Sequence, residues 1–115
     1  MSLQLVDLQI PEDWQVKWNH FYDVPSAVFV DDSFPHRYEL VEDILCFKNE
    51  VRKRSLDLGW YPEMSPDGKY TLYLLRIGQD GEDWAKPIIE YRTKEIAEVI
   101  RKIQEIFEQV QAGIL

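Results

Sequence analysis

One stretch does most to fix what this chain can become. From Lys94 to about Gln111, apolar side chains recur at Ile96, Val99, Ile100, Ile103, Ile106, Phe107 and Val110. That is the i, i+3, i+4, i+7 spacing that gathers them on one face of an α-helix. Such a stripe has to be buried against another layer of structure. Thr93 is placed to cap the helix start, and Glu95 lies in its first turn. Glu98 and Lys102 have the spacing of an i, i+4 pair, and Gly113 can end the helix.

The rest of the chain reads as strands. Tyr70 to Ile77 places Leu72 and Leu74 on one face and Tyr73, Leu75 and Ile77 on the other, so both faces are apolar and the strand is central. Leu56 to Tyr61 puts Leu56, Leu58 and Trp60 on one face. The turn Pro66-Asp67-Gly68 joins it to Tyr70 as a hairpin. Lys86 to Thr93 is a short strand, with Pro87 tolerated at its start or on an edge. Leu3 to Ile10 reads as a strand, and Trp14 to Tyr22 alternates Trp14, Val16 and Trp18 against polar partners. Ile44 to Lys48 fits a strand or a short helix and is taken as a strand. Between them, Val24 to Tyr38 carries Pro25, Asp31, Asp32, Ser33 and Pro35, which break regular structure and predict a long exposed loop. The expected architecture is a single α+β domain over residues 1–115: an antiparallel β-sheet of about five strands packed against one C-terminal amphipathic α-helix.

A chain of 115 residues, 45% hydrophobic and 13% aromatic, can support one core without disulfides or metals. Cys46 has no partner for a disulfide and, between Leu45 and Phe47, reads as packing. The lone thiol, the lack of an apolar run of about 20 residues and the lack of a signal-like N-terminus predict a cytoplasmic protein. Met1-Ser2-Leu3 reads as an expression remnant and carries no functional weight.

The formal net charge is −8, and it is lopsided. Residues 1–50 hold ten acids against three bases, whereas residues 51–115 hold eleven against ten. Such a field repels a phosphate backbone and steers basic proteins inward. Arg52-Lys53-Arg54, the single basic run, reads as a solvated turn.

Catalytic and ligand-binding patterns are weak. His20 and His36 have no adjacent nucleophile, and nothing around Cys46 resembles an activated thiol. Metal-ligand spacings and phosphate-cradling glycines are missing, so neither a metal nor another cofactor is expected. Asp80-Gly-Glu-Asp83 reads as a solvated turn between two strands. Gly59-Trp60-Tyr61-Pro62 reads as scaffold: Trp60 in the core, Gly59 making room for a neighbouring side chain, Pro62 ending the strand. Carboxylates interleaved with aromatics around the long loop are the best candidate for contact with cationic side chains. The residues concerned are Asp31, Asp32, Phe34, Tyr38, Glu39, Glu42 and Asp43. The alternative is that the aromatics pack inward beneath the loop.

Ser55 to Glu63, Ser65-Pro66-Asp67-Gly68, the strand Tyr70 to Ile77, Asp83-Trp84 with Pro87-Ile88-Ile89, and the closing helix together resemble the small bacterial immunity proteins of polymorphic and contact-dependent toxin systems. The resemblance implies a non-enzymatic cytoplasmic antidote that occludes a cognate toxin domain. A basic nuclease is one such toxin, met by the acidic surface with its carboxylates in the place of phosphates. A general interaction module or regulatory subunit, and a small enzyme of unrecognised type, are the alternatives. No nucleic acid or membrane partner is expected.

Overall fold

The computed structural model describes residues 3–115, so Met1 and Ser2, two of the three residues expected to be an expression remnant, lie outside the described residues. Leu3, the third of them, packs against the core.

Six strands form one antiparallel sheet: β1 (Gln15–Asn19), β2 (Leu45–Asn49), β3 (Arg54–Tyr61), β4 (Lys69–Gly78), β5 (Gly81–Glu82) and β6 (Ile89–Thr93). They lie in the order β1-β2-β3-β4, with β5 and β6 both paired to β4. The central position expected for Tyr70 to Ile77 follows, since β4 pairs β3 over its length and gives the other edge to β6 and then β5. The helix α1 (Ile96–Gln111) closes the chain.

Period-two alternation decides what the sheet buries. Leu45 and Phe47 of β2 stand opposite Leu58 and Leu56 of β3, which in turn face Leu72 and Leu74 of β4. This apolar row receives Val99, Ile103, Ile106, Phe107 and Val110 of α1. Phe107 stacks near Phe47 and Trp14, with centroids 6.2 Å and 5.2 Å apart. The same sheet face is roofed further along by the segment between β1 and β2. Its Phe29 lies 6.2 Å from Trp60, and Phe21 meets Tyr70 edge-on.

Several expectations need correction. Leu3 to Ile10 is not a strand: it meets the rest of the backbone through one bridge, Leu5 with Tyr22, flanked by hydrogen bonds from Val6 to Phe21 and from Asp23 to Gln4. Its neighbour is itself irregular, so no ladder can propagate. The strand expected to reach Tyr22 stops at Asn19, whose side-chain oxygen accepts the Phe21 N–H and turns the chain. The strand expected from Lys86 begins at Ile89. The loop from Val24 to Tyr38 contains two short 3-10 turns, Ser26–Val28 and Pro35–Glu39.

The helix entry is also built differently. Glu95 is the N-cap, while Thr93 accepts the Glu95 N–H and donates its hydroxyl to the Glu98 carboxylate. Glu98 is thereby drawn away from Lys102, which pairs with Glu105 instead. At the other end Gly113 has φ +77, its N–H bonds Val110 and that of Ile114 bonds Gln109. This is the paired hydrogen-bond pattern of a helix ended by a left-handed glycine. Arg52 adds its guanidinium to the Gln111 carbonyl, so the basic run is partly recruited to the helix C-terminus rather than merely solvated.

Candidate functional site

The sheet face turned away from α1 carries its own chemistry. Along β3 the residues between the core positions are Ser55, Asp57, Gly59 and Tyr61, and Asp57 stands directly opposite Cys46 on β2 and Tyr73 on β4. Two features convert this face into a cavity of about 330 Å³.

The first is a β-bulge. Val16 pairs with Phe47, but Trp18 pairs with Cys46, so two residues of β1 span one step of β2. Regular alternation would leave Trp18 on the same face as Val16. The bulge turns it to the opposite side, where it lines the cavity with Lys17. Re-aiming a side chain is a common use of such an insertion.

The second is the β4–β5 hairpin, which reverses through Gln79 and Asp80 and places Glu82 against Lys48 as an ion pair. Asp80 is exposed as expected of a solvated turn, but Glu82 is not solvated in that way: Lys48 holds its carboxyl below the usual range. Just beyond, Trp84 packs edge-on against Tyr73 with centroids 5.2 Å apart and keeps half its surface exposed. Trp18 and Trp84 both border the cavity, which Asp43, Cys46, Ser55 and Asp57 also line.

Asp57 is the unusual group. It is 7% exposed, lines the cavity and makes no side-chain hydrogen bond or ion pair among the described residues. Burial first, and then the nearby charges of Asp43 and Glu82, push its carboxyl up to about 7. The same desolvation raises the Cys46 thiol, which makes it a poor nucleophile and keeps it closer to the packing role expected of it. Tyr61, beside Asp57 on the same face, is pushed up to about 12, mainly by burial.

The residues expected to contact a partner do not form one surface. Asp43 lines the cavity, and Glu42 is exposed, its carbonyl accepting the Tyr61 hydroxyl at 3.5 Å and filling the space a side chain on Gly59 would need. Gly59 thus makes room for backbone as well as for a side chain. Asp31, Asp32, Tyr38 and Glu39 lie on the segment that roofs the opposite face, where the Phe29–Trp60 contact anchors it. Asp31 is tied to Ser33, and Arg37 stacks over Tyr38 at 4.3 Å while hydrogen-bonding its hydroxyl. Phe34 has to be withdrawn as a surface contact: it is buried and stacks on Phe29 with centroids 4.9 Å apart. A loop with two aromatics gains more by hiding them over Trp60 than by showing them to water. None of the five carboxylates that remain, Asp31, Asp32, Glu39, Glu42 and Asp43, is engaged in an ion pair among the described residues.

Trp18, Asp57, Glu82 and Trp84 were not legible as a site. The one available hint was Asp57 itself, an acid flanked by Leu56 and Leu58 inside a strand whose partner strands are apolar.

The fold defines an α+β protein with an antiparallel sheet, covered on one face and hollowed on the other. Comparison with known proteins finds no matching family model, no significantly similar curated protein and no significantly similar solved structure. No helix among the described residues is long and apolar enough to cross a membrane, and no group of three His, Cys, Asp or Glu side chains among them converges as a metal site.

Proposed function

We propose that this is a non-enzymatic, cytoplasmic binding protein of the immunity type, which docks and occludes a cationic protein partner such as a basic toxin domain. The observation that carries the reading is the pairing of half-exposed Trp18 and Trp84 with unpaired Asp43 and Asp57 on the uncovered sheet face. Aromatic anchors beside acceptors with no internal partner are what an interface core for Lys or Arg side chains requires. The acidic loop, with Asp31 and Asp32 free of ion pairs, supplies long-range steering from the other side. The sequence resemblance supports the toxin partner, and the lopsided charge supports its sign.

A second reading, a small enzyme, draws on one specific observation. A cavity lined by a carboxyl held near neutrality is the arrangement that acid–base chemistry uses. Asp57 would then shuttle a proton while Glu82, whose carboxyl Lys48 holds below the usual range, stabilises positive charge.

The test is affinity capture from the native host at low and high salt with wild-type protein, Trp84→Ala/Asp43→Asn and Asp31→Asn/Asp32→Asn. A basic protein retained by wild type, released by salt and lost with the first variant supports docking on the sheet face. A partner lost only with the loop variant, or one indifferent to salt, overturns it.

A further inference from the structure

We infer that the cavity on the uncovered sheet face is a receptor for a single organic cation, an ammonium or guanidinium group, received between Trp18 and Trp84 and neutralised by Asp57 and Asp43. The inference deepens the binding reading above by naming the group that enters the cavity, and it rests on that reading.

Three independent features converge. The β-bulge at Lys17 spends a ladder position to turn Trp18 toward the cavity, and Trp84 is held opposite the sheet by its edge contact with Tyr73. Indole faces attract cations most strongly of all aromatic rings. The same cavity is lined by Asp57, a residue more than nine-tenths buried whose carboxyl has no partner among the described residues, a costly arrangement unless something supplies the missing charge. Lys48 cannot supply it, being paired with Glu82. A divalent metal is a poorer fit, because Asp43, Asp57 and Glu82 do not converge as a ligand set, whereas indole walls favour a large, weakly hydrated cation.

Binding is coupled to a proton. The groups facing Asp57 are Asp43 from the segment before β2, Cys46 and Lys48 from β2, Tyr61 on β3, Tyr73 on β4, Glu82 on β5 and Lys17 at the bulge. Burial lifts the Asp57 carboxyl among them to about 7. An entering cation displaces its proton, so affinity rises by about tenfold from pH 6 to pH 8.

Indole N–H resonances recorded by NMR provide the test, with N-acetyl-lysine methylamide, N-acetyl-arginine methylamide, choline and the neutral N-acetyl-norleucine methylamide as probes. Saturable shifts of Trp18 and Trp84 but not of Trp14 and Trp60, strengthening with pH and abolished in Asp57→Asn, support the inference. A response to the lysine or arginine probe assigns the cation to a partner's side chain, and a response to choline alone assigns it to a free amine. Equal binding of the norleucine probe, undiminished binding to Asp57→Asn, or no saturation by any cation overturns it. Should the cations fail while Asp57→Asn still captures a salt-sensitive partner, the cavity inference falls and the docking reading stands. Should the captured partner also be lost in the sheet-face variant but no cation bind, the face docks by shape and not by this receptor.

Discussion

Trp18 stands opposite Cys46 although Val16, two residues earlier, stands opposite Phe47. That single extra residue moves an indole from the core side of the sheet to its open side, and with it creates one wall of the cavity. Sheet register has a period of two, so one inserted residue exchanges faces for everything beyond it.

Trp84 and Trp60 should respond unequally to truncation. Trp60 is fully buried and donates its indole N–H to the Ser65 carbonyl at 2.8 Å, so Trp60→Ala costs about 3–5 kcal/mol. Trp84 keeps half its surface in water, and Trp84→Ala costs about 1 kcal/mol, the worth of its contact with Tyr73. Urea unfolding of both variants checks this. A core-sized loss at Trp84 would make it scaffold.

Asp57 makes the protein less stable as pH rises. In the unfolded chain its carboxyl ionises near 3.8, and in the folded protein at about 7. Between those values the folded state binds more protons, so the stability present below about pH 4 is lost as pH passes through about 7. At about 1.4 kcal/mol per unit this amounts to at most about 4 kcal/mol. Asp31 and Glu82, whose carboxyls are lowered, work in the other direction. Urea midpoints at pH 5 and pH 8 should therefore differ in wild type, and the gap should shrink in Asp57→Asn. An undiminished gap would falsify the assignment.

Gly68 admits no side chain. A Cβ there would collide with the Trp60 indole nitrogen and lie 2.7 Å from the Pro62 carbonyl. Gly68→Ala has to displace Trp60 and weaken its hydrogen bond to Ser65, at a cost of about 3 kcal/mol. Thermal unfolding together with near-ultraviolet circular dichroism of the tryptophans measures both effects.

The end of α1 offers a graded pair. Gly113→Ala places a Cβ at φ +77 and costs about 1 kcal/mol at any ionic strength. Arg52→Met removes the guanidinium from the Gln111 carbonyl. Its cost, about 0.5 kcal/mol, shrinks in high salt because it is electrostatic. Salt-insensitivity at Arg52 would show that the side chain acts by packing instead.

The helix was legible because its signal is local and repeated: seven apolar positions at one period leave little else for residues 96–111 to do. The β3–β4 hairpin was legible for the same reason, from alternation on either side of Pro66-Asp67-Gly68. Leu3 to Ile10 alternates as well, yet it gains only one bridge, because a strand needs a regular neighbour and Tyr22 belongs to none. Nor could periodicity tell that Glu98 would turn to Thr93 rather than to Lys102.

The site lay almost wholly outside the reach of sequence reading. Exposed acids and aromatics around residues 31–43 drew attention because composition is visible, but Phe34 turned inward and Asp43 alone reached the cavity. By itself the sequence determined the layers, the buried stripe of α1 and the sign of the charge, since each follows from spacing and residue type. Tertiary structure alone decided that Trp18, Asp57, Glu82 and Trp84, drawn from three places along the chain, share one hollow. A bulge, a hairpin reversal and the desolvation of a carboxyl depend on what lies across the sheet, and no local pattern encodes a neighbour forty residues away.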